Sequence, residues 1–431
     1  ALPILYDPHD RDENDYYYAH RTSQEIAEIV ARNDALLDRA LSVFVCTEAP
    51  SIYSFAARLA QRVSDRRRLF DDALAKLDDT PGNASAGFFA GLIAGIDSED
   101  PAAARACILE ALQAPKLKAD PIRLIGSGRL QPEDLLLVVD LLRAGAVEPR
   151  HCVSLAYGRG LNHLTVNDVT PLLDALEESG AIGCWVALDL VSMWLHGGQA
   201  LEGELILRLK RILTQSTLFE AVNSSTTDGY HFERSVEMLA TIGAVDDRFA
   251  AALTRQVLGL CDAADSRVFF DMDTPAQKSL RTVALLRPET VWSVIDEAYA
   301  TDDRLFSIRF EMLFKPDHQN QLAGGTLFGI PEAIYLNWVR NDPNARARFV
   351  VTWLPVVTDP KERPLQWHPA VETFISEFAS ADDVLSQLAR RLTPTSWWGS
   401  LAPHLEIVLP LLEAWVRHPN CIVRKWASRQ L

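Results

Sequence analysis

The sequence lacks the residue patterns that mark common catalytic and metal sites. It contains no CxxC pair, no HExxH and no GxxxxGK[ST], which argues against a zinc ribbon, a thioredoxin-like site, a zinc protease helix and a P-loop. Gly126-Ser127-Gly128 and Gly158-Arg159-Gly160 are too short for a dinucleotide-binding loop, and we interpret both as helix-ending turns. We therefore expect no catalytic residue, no cofactor and no metal in this chain.

Basic residues are also scarce. The chain has 42 Lys and Arg against 58 Asp and Glu, a net charge of −16. A general nucleic-acid-binding surface is basic, so nucleic acid is not the expected partner, although a local basic groove stays open. The six cysteines are widely separated, and most lie among apolar residues. Buried, reduced cysteines are typical of a cytoplasmic protein, which is the localisation we expect.

Long apolar runs and β-alternating runs are missing as well. The longest apolar stretch, residues 181–195, includes Asp189 and is shorter than the roughly 20 residues of a membrane span. No membrane association is expected. Prolines and glycines instead separate stretches of helical periodicity along the whole chain. The sequence therefore predicts an all-α protein.

The C-terminal residues 407–431 indicate how these helices pack. Two apolar stripes at helical spacing are separated by His418-Pro419-Asn420, where the proline interrupts a helix. The stripes consist of Ile407, Val408, Leu411, Leu412 and Trp415, and of Ile422, Val423, Trp426, Ala427 and Leu431. Two amphipathic helices joined by a tight turn bury such stripes against each other and against a neighbour.

This hairpin resembles a HEAT repeat, the helix-turn-helix unit of many α-solenoids. The resemblance is carried by Pro410 in the first helix, by the turn, and by Val423-Arg424 followed by Ala427. In that family an Asp in the turn and an Arg six positions later form a hydrogen-bond ladder between stacked units. Here His418 occupies the Asp position, six residues before Arg424.

The same spacing occurs upstream. Asp303 precedes Arg309, and Asp342 precedes Arg348, again by six positions. Turn positions recur about every 40 residues, a period typical of paired-helix arrays. We therefore predict a HEAT-like α-solenoid of stacked antiparallel helix pairs, with an irregular all-α domain as the alternative. Replacing Arg309 or Arg348 with alanine is expected to cost roughly 1–3 kcal/mol if their partners are buried.

No strong domain boundary is visible. Residues 1–20 are polar and rich in Asp and Tyr, and we interpret them as an entry segment or linker. Residues 21–431 are expected to form one continuous solenoid, with a soft boundary near the linker-like residues 216–229. Residues 315–330 are polar and glycine-rich, and they predict a long inter-helix loop of the kind that carries function more often than helices do.

Two further features are candidate partner contacts. Arg66, Arg67 and Arg68 form a dense basic cluster that suits an acidic partner; the alternative is a solvated helix face balanced by nearby aspartates. Adjacent Trp397 and Trp398 cannot both point into one core from a helix. Either one of them is an exposed contact anchor, or both wedge a loop between repeats.

The C-terminal part of the chain contains the pattern SWWGSL…PLLEAW…HP…VRKWA. With this pattern, residues 290–431 resemble the C-terminal helical regions of large bacterial multidomain proteins. Some of those belong to antiphage defence systems and place an effector domain N-terminally. The resemblance implies a sensor or scaffold region of a longer protein, with the activity elsewhere. We expect a non-catalytic platform that recognises a protein partner. The alternative is a HEAT-like DNA glycosylase or another nucleic-acid-binding enzyme. The glycosylase class needs a basic concave face, which the charge of −16 disfavours.

Overall fold

The computed structural model of the chain describes residues 18–157, 160–220, 226–300, 304–316, 321–393 and 400–431. These residues form α-helices and short 3-10 helices, and they contain no β-strand, only an isolated antiparallel bridge between Val357 and Trp367. The all-α prediction is confirmed. The chain divides into two compact units, Ala1–Ala200 and Leu201–Leu431, and this division falls before the linker-like residues 216–229.

Two helices of the first unit begin at an Asp-Pro pair, Asp100-Pro101 and Asp120-Pro121. The carboxylate of Asp100 accepts a hydrogen bond from the Ala103 amide at 3.0 Å, and Pro101 takes the first helical position, where a missing N–H costs nothing. The helices are α1 (Tyr18–Ala31), α2 (Asp34–Phe44), α3 (Ile52–Arg62), α4 (Arg66–Asp79), α5 (Ala86–Asp97), α6 (Pro101–Gln113), α7 (Pro121–Ile125), α8 (Pro132–Arg143), α9 (Val166–Glu178) and α10 (Ala181–His196), with 3-10 helices at Pro115–Leu117 and Pro149–Ala156.

Alternate helices of the first unit pack side by side. Helices α1, α3 and α5 form one row, and α2, α4 and α6 form the other. The closest contact joins α3 to α5, where glycine lets the two backbones approach. A Cβ added to Gly91 would lie 2.4 Å from the Tyr53 carbonyl oxygen, and one added to Gly95 would lie 2.3 Å from the Ala57 carbonyl oxygen. Only glycine fits these positions at the present spacing.

One helix of the second unit also begins at an Asp-Pro pair. Asp342 caps a helix by accepting from the Ala345 amide at 3.2 Å, directly before Pro343. The helices are α11 (Glu204–Leu213), α12 (Thr226–Thr241), α13 (Asp247–Gly259), α14 (Ser266–Leu286), α15 (Pro288–Tyr299), α16 (Arg304–Phe314), α17 (Glu332–Asn341), α18 (Pro343–Trp353), α19 (Pro369–Phe378), α20 (Val384–Leu392), α21 (Ala402–Trp415) and α22 (Cys421–Gln430), with 3-10 helices at Leu218–Glu220 and Leu260–Asp262.

Alternate packing also orders the second unit. Helices α12, α14, α16, α18 and α20 follow one another in one row, and α11, α13 and α15 in another. This arrangement is compatible with a helical repeat, whereas one continuous solenoid over residues 21–431 stays a prediction. Helices α21 and α22 pack on each other, in agreement with the predicted hairpin. Helix α22 begins at Cys421 rather than at Pro419, because Asn420 caps it by accepting from the Ile422 amide at 2.9 Å.

An aromatic cluster forms part of the core of the second unit. Each of the four consecutive helices α15 to α18 supplies two rings, and neighbouring ring centroids are 4.9–6.2 Å apart. The rings belong to Trp292, Tyr299, Phe310, Phe314, Tyr335, Trp338, Phe349 and Trp353. Edge-to-face contacts at these distances contribute about 0.5–1.5 kcal/mol each beyond the burial of apolar area. The cluster therefore holds together α16 and α18, to whose ends residues 325 and 326 are bonded.

Candidate functional site

The segment of residues 321–330 precedes α17 and is hydrogen-bonded to the ends of α16 and α18. The Gly325 amide donates to the Trp353 carbonyl oxygen at 2.7 Å, and the Thr326 hydroxyl donates to the Leu313 carbonyl oxygen at 2.8 Å. A Cβ on Gly325 would lie 2.0 Å from the Phe314 carbonyl oxygen, so the close approach requires glycine here. This part of the predicted loop is therefore built into the helical scaffold.

Arg391 fixes the same segment from α20. Its guanidinium is buried and donates to four backbone carbonyl oxygens. Nη2 lies 2.7 Å from the Gln321 oxygen and 2.6 Å from the Ala323 oxygen, while Nη1 donates to Val351, at 2.9 Å, and to Leu354. No carboxylate within the described ranges pairs with this side chain. Burial lowers the pKa of Arg391 to about 9, because the charged form loses its hydration.

Two cavities adjoin this anchored segment and share Met312, Lys315 and Pro316 as part of their lining. The smaller cavity, of about 420 Å³, lies between α14 and residues 323–326. The larger one, of about 680 Å³, lies beside α20 and includes Thr352 in its lining. Both volumes fall within the roughly 300–1,000 Å³ of typical ligand sites.

The described lining residues are mainly basic among those that carry charge. They include the five cations Lys278, Arg281, Lys315, Arg390 and Arg391 and the single carboxylate Asp273. Lys278 pairs with Glu233 at 3.1 Å, outside the lining, and Lys315 faces Glu311 at 3.8 Å. The cavities thus form a local basic site of the kind that the net charge left open.

Only some of the predicted partner contacts fall on residues that the structure describes. Trp397 and Trp398 lie outside the described residues, as do residues 317–320 of the predicted loop. Within the basic cluster of α4, Arg66 meets Glu99 at 2.6 Å, Arg67 meets Asp71 at 2.8 Å, and Arg68 lies 3.7 Å from Asp72. Each guanidinium therefore faces a carboxylate, as the alternative of a balanced helix face expects. A partner contact at this cluster stays a prediction.

The two upstream ladder arginines have unlike surroundings. Asp303 lies outside the described residues. Arg309 is buried, lies over the Phe269 ring at 5.7 Å, and donates to the carbonyl oxygens of Cys261 at 3.1 Å and Ala263 at 2.6 Å. Arg309 thus connects α16 to the 3-10 helix Leu260–Asp262 and to Ala263 directly after it.

Arg348 pairs with Glu311 at 2.8 Å, a contact between α18 and α16, and its side chain is 45% exposed. Asp342 caps its own helix instead of facing Arg348. In the C-terminal hairpin, Arg424 donates to the carbonyl oxygens of His418 and Pro419, each at 2.7 Å, so these residues meet through the backbone. The ladder as a repeated hydrogen-bond pattern stays a prediction.

His418 contributes its ring to the same turn. Nδ1 accepts from the Asn420 amide at 3.1 Å, and Nε2 lies 3.4 Å from the hydroxyl oxygen of Ser376 in α19. Burial lowers the pKa of His418, because a charged imidazole would lose hydration there. The ring therefore caps the turn and approaches the neighbouring helix pair.

Sequence reasoning missed Arg391, although a signal was present. In α20 the buried residues Val384, Leu388 and Leu392 mark one helix face at spacings of four. Arg391 follows Leu388 by three positions and falls on that face, whereas Arg390 falls beside it. A basic residue on an apolar helix face is either paired or bonded to backbone oxygens, and here it is the latter.

The described residues provide neither a cluster of metal ligands nor a helix that could span a membrane. No group of three or more His, Cys, Asp or Glu side chains there could hold a metal ion. None of the described helices combines the length and apolar character needed to cross a membrane. Compared with known proteins, the chain matches no family model, no curated protein and no solved structure.

Proposed function

We propose that this chain is a non-catalytic, HEAT-like helical platform that recognises a protein partner, as a sensor or scaffold region of a larger cytoplasmic bacterial protein. Alternate-helix packing in each unit supports the repeat part of the proposal. The resemblance of residues 290–431 to helical regions of defence proteins supports the bacterial part. Stacked helices present extended surfaces that suit binding rather than catalysis.

The observation that carries the proposal is the anchoring of residues 321–330. All five N–H groups of Arg391 donate to backbone carbonyl oxygens. These hydrogen bonds fix residues 321–330, a segment without regular secondary structure, to the surrounding helices. Loops positioned in this way carry recognition more often than the helices that hold them. We place the partner contact on this segment.

Phe328 is the side chain of the segment that best suits a contact anchor. It is partly exposed, and its ring lies edge-on to His368 with centroids 5.5 Å apart. An aromatic ring already fixed by a neighbour loses little conformational freedom on binding, and such rings dominate interface energies. The proposal therefore assigns Phe328 to the centre of the interface.

The test is capture by the immobilised chain from a lysate of the source cells, or of phage-infected cells, followed by affinity measurement with the purified partner. Phe328→Ala is expected to weaken binding by at least about thirtyfold, which corresponds to the roughly 2 kcal/mol of an interface hot spot. Phe270→Ala is the matched control, because Phe270 is an exposed phenylalanine in the same unit, 58% accessible. It should bind like the parent chain.

Three outcomes would contradict the proposal. The first is the absence of any specific partner. The second is equal weakening of the partner complex by both phenylalanine variants at unchanged melting temperatures. The third is base excision from DNA by the purified chain, which would instead support the glycosylase alternative.

A further inference from the structure

The two cavities concentrate positive charge within an acidic chain. The whole sequence carries more acidic than basic residues, 58 against 42. Among the described lining residues the balance is reversed, since Asp273 is the single carboxylate beside five cations. The charge of the described lining thus differs in sign from that of the whole chain. The reversal points to a ligand that carries negative charge.

Arg391 contributes a fixed charge to the larger cavity. Its five N–H groups are occupied by neutral carbonyl oxygens, which satisfy hydrogen bonding but leave the unit charge without a described carboxylate partner. Interactions with a buried charge are screened far less than those at the surface. An anion in the larger cavity would therefore gain from Arg391 without contacting it directly.

Arg281 and Lys315 both line the smaller cavity, where they can meet a ligand. Arg281 is exposed, lines the smaller cavity, and forms no ion pair within the part of the chain that the structure describes. Lys315 lines both cavities. Its carboxylate neighbour, Glu311, lies nearer to Arg348, at 2.8 Å against 3.8 Å for Lys315. Glu311 thus faces both Lys315 and Arg348, and one negative charge cannot balance two positive ones. The result is an excess of positive charge beside the lining residues that the two cavities share.

We propose that these adjoining cavities bind a small ligand carrying at least two phosphoryl groups, with the phosphoryl chain at Arg281 and Lys315. Cations line both cavities, so a ligand with a single charged group would meet only part of them. Each phosphoryl group offers three strong acceptor oxygens to lysine and arginine donors. The inference goes beyond protein recognition and does not rest on it.

The larger cavity has room for more than the phosphoryl chain. Its lining combines Met312, Pro316 and Ala389 with hydrogen-bonding groups on Gln387 and Thr393. An apolar wall with a few polar groups is typical of sites for organic ligands. The phosphoryl groups could belong to inorganic pyrophosphate or to a nucleoside triphosphate, and the two sources differ in whether this cavity is filled.

Isothermal titration calorimetry of the full chain separates these sources. The probes are ATP and pyrophosphate, each in EDTA buffer at 150 mM salt, with a hexaglutamate peptide as the competing acidic ligand. Arg281→Ala and Lys315→Ala each remove one cation without touching the buried core. Lys361→Ala is the control, because this exposed lysine lines neither cavity.

We expect saturable binding of both phosphorylated probes and a loss of at least about tenfold in affinity, or about 1.4 kcal/mol, in each cavity variant. Lys361→Ala should bind like the parent chain. Because ATP carries one phosphoryl group more than pyrophosphate, tripolyphosphate is titrated beside it. Tighter binding of ATP than of tripolyphosphate would place the nucleoside in the larger cavity, and equal binding would assign the site to the phosphoryl chain alone.

Three results would overturn the inference: no binding of either phosphorylated probe, affinities that the cavity variants leave unchanged, or stronger binding of hexaglutamate. If a variant melts below the parent chain, Arg281→Gln and Lys315→Gln take its place. Loss of this site would leave the Phe328 contact untouched, so the two proposals fail separately.

Discussion

Two helix contacts, one in each unit, are packed by opposite means. In the first unit, Gly91 and Gly95 of α5 bring its backbone against the carbonyl oxygens of α3. In the second unit, eight aromatic rings from α15 to α18 fill the space between helices. A glycine contact tolerates no added atom, whereas an aromatic contact tolerates no removed ring. The same alternate-helix arrangement is therefore sensitive to opposite kinds of substitution.

The largest expected effect is in the aromatic cluster. Trp353 is 1% exposed, and its ring centroid lies 5.3 Å from that of Tyr335 and 6.2 Å from that of Trp292. Trp353→Ala should lower the free energy of unfolding by about 3–5 kcal/mol, because it leaves a cavity that the remaining rings fill only in part. Urea denaturation followed by circular dichroism measures this loss.

Trp353→Phe sharpens the same test. It keeps a ring in the cluster and removes an indole N–H that is buried without a hydrogen-bond partner among the described residues. Its cost should stay below about 1.5 kcal/mol. A small loss for Trp353→Ala would show that the aromatic cluster does not hold the second unit together.

An intermediate effect is expected at the glycine contact. Gly95→Ala places a Cβ 2.3 Å from the Ala57 carbonyl oxygen, so α3 and α5 must move apart. We expect a loss of about 1–3 kcal/mol in the free energy of unfolding, as for other overpacked cores. Differential scanning calorimetry of the full chain gives the corresponding fall in melting temperature.

Gly259→Ala is the matched control for the glycine contact. Gly259 ends α13 with a φ of −58°, and an added Cβ would meet nothing within 4 Å. The substitution should raise stability by about 0.4–1 kcal/mol through the lower entropy of the unfolded chain. Destabilisation by both alanines would mean that the close approach of α3 and α5 is not what makes Gly95 necessary.

The smallest effects compare the two ladder arginines. Arg348 is 45% exposed and pairs with Glu311, so Arg348→Ala should cost under about 1 kcal/mol, as for other surface ion pairs. This is less than the sequence-based expectation, which assumed a buried partner. Arg309 is buried and bonded to backbone carbonyl oxygens, so Arg309→Ala should cost about 1–3 kcal/mol. Thermal melts that rank the two variants the other way would reject this assignment.

The helices were predictable because their signals are local. Asp100-Pro101 and Asp342-Pro343 both mark helix starts that the structure contains. The ring pairs of the aromatic cluster also lie at helical spacing, as with Phe310 and Phe314. Caps and periodicity require only neighbours in sequence, so one chain suffices to recognise them.

The site was less predictable because it depends on contacts across long separations. Arg391 bonds to Gln321 and Ala323, which are 70 and 68 positions away. The adjacent Arg390 carries the same charge but donates to the Gln387 side chain of its own helix. Glycine-rich composition indicated a loop at residues 315–330, but the sequence did not show that helix α20 holds its second half. Spacing alone does not identify which of two adjacent arginines is buried.

Hydrogen–deuterium exchange, read by mass spectrometry with and without the captured partner, tests the recognition proposal most directly. The account predicts that binding slows exchange in peptides covering residues 321–330 and leaves those of α3 and α5 unchanged. Those two helices serve as the internal reference, because their contact is closed by backbone packing before any partner binds. Slowed exchange confined to the first unit, or no change at residues 321–330, would contradict the placement of recognition on the segment that Arg391 anchors.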